Sequence, residues 1–186
     1  LPTSSETRDA VAKIDPTFLS SRQHPRIYLF EPNTLEPIMY PQFQSINVIA
    51  LARWLSQRSK FYMGVPGTIQ AFYWLARKFV VDAKLADDED QFRSDVLAEA
   101  GETLEALMRE VSSEEYTELG KYYLKTMERV VERGDDYIIE EVSRLEELVS
   151  GGGPNLSQEK RQNLQKRVNI LHNFITFPKI MQNDEL

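Results

Sequence analysis

The chain has 186 residues, a formal net charge of -7, a pI near 5.0 and no cysteine. A domain of roughly 150 residues already removes about two-thirds of its unfolded surface from water, so this chain can bury a core without covalent staples. The acidic balance argues against nucleic-acid binding, which draws on Lys and Arg at phosphates, and the missing cysteines exclude disulfides, thiol catalysis and thiolate metal sites.

The opening "LPTSSETRDA" has neither a basic start nor an apolar stretch, so it is not a signal segment, and a processed or truncated form is expected. "AVAKID" reads as a short strand. "RIYLF" (Arg26 to Phe30) and "PIMY" are further extended candidates, β-branched and aromatic, with the Pro-bounded turn "EPNTLEP" between them. Ser45 is the expected cap of a helix over "INVIALARWLSQ". Residues 1–60 thus hold hairpin-plus-helix material, too little for a complete α/β domain.

From residue 61 to 177 the chain reads as helix after helix. "TIQAFYWLARKFVVD" places Ile69, Phe72, Tyr73, Ala76, Phe79 and Val80 at helical spacing. Asp88 with Gln91 has the form of a capping box, opening a helix with Phe92, Val96, Leu97, Ala100, Leu104, Leu107, Met108 and Val111 on one side. Ser112 with Glu115 is a second box, for a helix bearing Tyr116, Leu119, Tyr123, Met127, Val130 and Val131 and stopped by Gly134. Asp135 or Asp136 caps a shorter helix with Ile138, Val142, Leu145 and Val149. After the break "SGGGPN", Asn155 with Gln158 opens a last helix carrying Leu164, Val168, Leu171, Phe174 and Ile175. Five amphipathic helices with short connections predict an all-α bundle. No run approaches the ~20 apolar residues that span a bilayer, so membrane insertion is not expected.

Little in this pattern points to catalysis. His24 and His172 lie far apart in sequence without ligand or triad spacing around them. "GVPG" and "GGGP" do not lead into Gly-Lys-Ser/Thr, so neither cradles phosphate. The Glu-rich helix faces lack the spacing of a calcium loop and read as solvated surfaces with i,i+4 pairs. No catalytic, metal or cofactor site is expected. Asn155 in "NLS" is a candidate N-glycosylation site, with helix capping as its competing role.

The aromatic residues are more informative. Trp74 points away from Tyr73 and Ile69 on the helix, with Arg77 and Lys78 beside it, while "KFYMG" puts Phe61, Tyr62 and Met63 in a connector. Phe61, Tyr62 and Trp74 have two readings: internal packing of the first segment onto the bundle, or an apolar groove for extended clients. The final residues, 178–186, end on Asn183-Asp184-Glu185-Leu186. Three of these four match a Lys-Asp-Glu-Leu address, read by a receptor that returns proteins to the endoplasmic reticulum; the competing reading is a polar, frayed terminus.

"HPRIYLF", "PIMYP" and "ALARWL" resemble the second half of a thioredoxin fold. Pro25 stands where that fold places a cis-proline. "ARWLSQRSKFYMGVPGTIQAFYWLARKFV", "LKTMERVVERGDDYIIEEVSRLEELV" and "LSQEKRQNLQKRVNILHNF" resemble the D domain of the endoplasmic reticulum resident protein 29 family, shared with some protein disulfide isomerases. The resemblance spans roughly residues 24 to 175. It implies a lumenal, redox-inactive chaperone or secretion escort that binds unfolded or secretory client proteins and carries a retrieval signal for its receptor; in that family a homodimer and part of client binding rest on the N-terminal domain, which is incomplete here, so the oligomeric state stays open. The sequence departs from the family in having no room for the first half of a thioredoxin fold, the half in which catalytic relatives carry Cys-x-x-Cys. A helical docking scaffold without affinity for unfolded chains is the alternative function.

Overall fold

The computed structural model describes residues 12–13, 26–30, 37–41, 46–58, 61–151 and 156–175. The chain divides into two compact units, Leu1–Leu55 and Ser56–Leu186.

In the first unit, β1 (Tyr28–Phe30) and β2 (Pro37–Met39) pair antiparallel, with Tyr28 opposite Met39 and Phe30 opposite Pro37. Pro37 takes the first position of its strand, where a missing N–H is tolerated. Tyr40 N–H donates to Ile27 O at 2.8 Å and extends the pairing by one rung. Helix α1 (Val48–Arg58) follows. Asn47, not the expected Ser45, caps it: Asn47 Oδ1 accepts from Ala50 N–H at 2.9 Å, satisfying one of the amides that a helix start leaves without a partner. Tyr40 and Trp54 are buried edge to face, ring centres 5.4 Å apart. Ala12 and Lys13 are helical, which corrects the strand expected for "AVAKID". The branched residues that pointed to a strand flank this pair, whereas Ala and Lys are strong helix formers.

The second unit is the expected bundle of five α-helices. Helix α2 (Gln70–Arg77) runs into a π turn (Lys78–Asp82) and a 3-10 turn (Ala83–Leu85). Helices α3 (Glu89–Glu110), α4 (Glu114–Arg133), α5 (Asp136–Gly151) and α6 (Gln158–Leu171) follow, and a 3-10 turn (His172–Phe174) ends the described chain but for Ile175. Phe72, Phe79, Val96, Tyr123, Met127, Leu145, Ile170 and Leu171 form the centre of its core. Gly120 lets α4 approach closely: a Cβ there would sit 2.9 Å from Leu104 Cδ1 and 3.3 Å from Phe72 Cε2.

The helix starts sharpen the sequence reading. Asp88 caps α3, accepting from Gln91 N–H at 3.0 Å, but Gln91 turns its amide to Asp95, so the box is only half made. Ser113 caps α4 in place of Ser112, and Ser157 caps α6 in place of Asn155. Each shift follows from a serine standing three residues ahead of an available amide. Gly134 ends α4 at φ +84, with its N–H on Val130 O at 2.8 Å. Asp135, just before α5, turns its carboxylate to Arg93 of α3 at 2.8 Å and to Lys84 at 3.6 Å. The apolar faces are narrower than expected, for Met108, Tyr116 and Val131 are exposed; each lies at the edge of its stripe, where one hundred degrees per residue carries a side chain into solvent.

Candidate functional site

Two of the residues singled out in the sequence, Tyr62 and Trp74, are linked through Tyr73 around the start of α2. The connector 61–65, with Gly64 at φ +61, is irregular and reaches a turn in which Gly67 has φ +85. That turn is fastened twice. Asn169 of α6 donates from Nδ2 to Pro66 O at 2.8 Å, and Gly67 passes so close to α6 that an added Cβ would lie 2.5 Å from Lys166 Cβ. Thr68 Oγ1 closes the turn by donating to Val65 O at 2.6 Å.

Tyr62 is set by this turn: its hydroxyl donates to Thr68 O at 2.8 Å. Its ring lies 5.4 Å from that of Tyr73, and Tyr73 lies 4.8 Å from Trp74, edge on. Tyr73 is buried and donates its hydroxyl to Ser56 O at 2.6 Å. Burial raises the phenol pKa of both tyrosines; the Thr68 hydrogen bond opposes this at Tyr62, and the Arg77 guanidinium opposes it at Tyr73. Two fixed tyrosines thus back Trp74, which is 36% exposed, and in the connector leading to them Phe61 is 71% and Met63 44% exposed.

The basic residues expected beside Trp74 are directed elsewhere. Lys78 reaches across to Glu99 of α3 at 2.6 Å, and Arg77 is half-buried near the Tyr73 hydroxyl. The ladder of rings from Tyr62 through Tyr73 to Trp74 thus presents an apolar and aromatic surface.

Elsewhere, His172 Nε2 lies 3.4 Å from Glu146 Oε1 and links α6 to α5, a contact between helices that sequence spacing along one helix cannot reveal. Among the described residues no group of three His, Cys, Asp or Glu side chains could hold a metal ion, and no described helix is long and apolar enough to cross a membrane. Pro25, His24, Asn155 and Asn183 to Leu186 lie outside the described residues.

The sequence missed a second feature. A cavity of about 170 Å³ lies between the π turn, the end of α4, the start of α5 and the segment after α6. No local signal marks it, because its walls come from four separate stretches of chain.

Residues 67–174 match the family model described as endoplasmic reticulum protein ERp29, C-terminal domain, and residues 10–66 match the model of the ERp29 N-terminal domain. The chain is 25% identical over 156 residues to the protein windbeutel of Drosophila melanogaster, covering 84% of this chain and 56% of that protein. It is 29% identical over 103 residues to protein disulfide-isomerase 1 of Dictyostelium discoideum, covering 52% of this chain and 28% of that protein. The chain thus spans little more than half of one relative and under a third of the other.

Proposed function

The chain belongs to the ERp29 family, and from that premise we propose that it is a redox-inactive chaperone or secretion escort of the endoplasmic reticulum lumen, holding unfolded or secretory client proteins on the aromatic surface of α2. The observation that carries this reading is the ladder from Tyr62 through Tyr73 to Trp74, with Phe61 and Met63 exposed beside it. A rigid aromatic backing with flexible Met and Phe in front suits contacts with varied apolar segments. Zero cysteines leave these residues without a thiol for disulfide exchange. The family's endoplasmic reticulum description supports the location, and Asn183 to Leu186 supply the contact to a retrieval receptor.

The test is suppression of aggregation of a reduced, cysteine-containing client, followed by light scattering. The chain should suppress it, and Trp74→Ala should lose most of the effect while keeping its helical spectrum. Equal suppression by both proteins would remove the ladder from the function. A scaffold role is the second reading, favoured by the tethering of both tyrosines to backbone carbonyls. It predicts no suppression by either protein.

A further inference from the structure

We propose that the cavity beside the π turn is a second binding site, which takes one phenylalanine- or leucine-sized side chain of an extended partner segment with an arginine or lysine next to it. The walls are Val80, Val130, Ile138 and Phe174, all buried, with Ile139 and Ile175 toward the opening. Its volume of about 170 Å³ is room enough for one ring, since benzene fits an apolar cavity of ~150 Å³. The cavity opens to the surface, because Ile139 is 56% exposed and Lys84 and Asp136 are exposed as well.

Charge at the opening selects the neighbour of that side chain. Asp135 is held by Arg93 at 2.8 Å and Lys84 at 3.6 Å, and Arg93 also meets Glu89 at 2.8 Å. Asp136 lines the same opening, and no hydrogen bond or ion pair engages it among the described residues. Of the charged residues that line the opening, Lys84 and Asp135 pair with each other and Asp136 is left over, exposed at the rim. An incoming guanidinium or ammonium completes that set, whereas a carboxylate would be repelled. Only Val80 of this site lies on the continuation of α2, the other walls belong to separate stretches, and the proposal stands independently of the ladder.

The test is an amide-shift titration of the labelled chain with three capped hexapeptides, Gly-Ser-Phe-Arg-Gly-Ser, Gly-Ser-Phe-Glu-Gly-Ser and Gly-Ser-Ala-Arg-Gly-Ser. The first should move the Val130, Asp136, Ile138 and Ile139 amides saturably, and the alanine peptide should not. Weakening by about threefold is expected with the glutamate peptide, and again for the arginine peptide on Asp136→Asn, the size of an exposed charge pair. Ile139→Ser, at an exposed position, should weaken both phenylalanine peptides while its spectrum reports an intact fold. No saturable shift at these amides, equal shifts from the alanine peptide, or indifference to both charge changes would overturn the proposal.

Discussion

Tyr73 and Trp74 are neighbours in sequence with rings 4.8 Å apart, yet Tyr73 is buried and Trp74 lies at the surface. The two should therefore fail in different ways. Trp74→Ala costs about 2–3 kcal/mol, the loss of its partly buried ring and of the contact with Tyr73, and removes client binding. Tyr73→Phe leaves Ser56 O without its donor at a cost of about 1–2 kcal/mol, with binding by the folded fraction retained. Urea unfolding alongside a titration read by the anisotropy of a dye-labelled peptide separates them; a Tyr73→Phe protein that binds nothing when folded would contradict this division.

Two glycines make an opposed pair. Gly67→Ala forces a Cβ against Lys166 at a residue with φ +85, so a loss of about 2 kcal/mol or more is expected. Gly101 lies within α3 with nothing inside 4 Å of an added Cβ, so Gly101→Ala should gain up to about 1 kcal/mol. Urea midpoints of the two variants should move in opposite directions.

The Arg93 side chain is only 10% exposed and bridges Glu89 and Asp135, tying α3 to the start of α5. Asp135→Asn removes one of its two carboxylates and should cost about 1–2 kcal/mol, because Asp135 itself is half-exposed and Glu89 remains. High salt should narrow the gap to the wild type only slightly. A variant as stable as the wild type would make the bridge ornamental.

Burial raises the phenol pKa of Tyr62, Tyr73, Tyr122, Tyr123 and Tyr137. With a raised value in the folded state, the neutral phenol belongs to the fold. The contribution is fully present below the unfolded value near 10 and is lost as pH rises through the folded values. Stability measured by urea should hold from pH 7 to about 9.5 as far as these groups are concerned and then fall steeply. Tyr123→Phe should flatten that fall, at the cost of the hydrogen bond that Asn173 Nδ2 donates to the Tyr123 hydroxyl at 2.5 Å.

Removal of Asn183 to Leu186 should send the chain from a secreting cell into the medium, while Asn183→Lys should leave it retained. Equal retention of the full and shortened chains would reduce the tetrapeptide to an ordinary polar tail.

Much of the bundle was legible because it rests on periodicity: Val96, Ala100 and Leu104, or Tyr123, Met127 and Val130, recur at the helical interval and are buried together. The ladder was partly legible, since Trp74 falls off the buried stripe of α2, but its link to Tyr62 runs through a turn shaped by Thr68 and Asn169, which no interval announces. Caps slipped by one or two residues because Ser112 and Ser113 are chemically alike, and only backbone geometry chooses between them. The cavity was illegible for the same reason that it exists: Val80, Ile138 and Phe174 are ordinary core residues in sequence, and what they leave unfilled depends on how their elements meet.

The π turn at Lys78–Asp82 holds one residue more than ordinary winding would need. Its role is a matter of counting, so no exchange of one side chain for another would expose it. Shortening the stretch by a single residue would restore regular coiling and bring everything before it round by about a hundred degrees. The side of α2 that carries Trp74 would then no longer face outward where Tyr73 faces in. The ladder and the cavity wall lie on one rod, and this spare residue sets the phase between them.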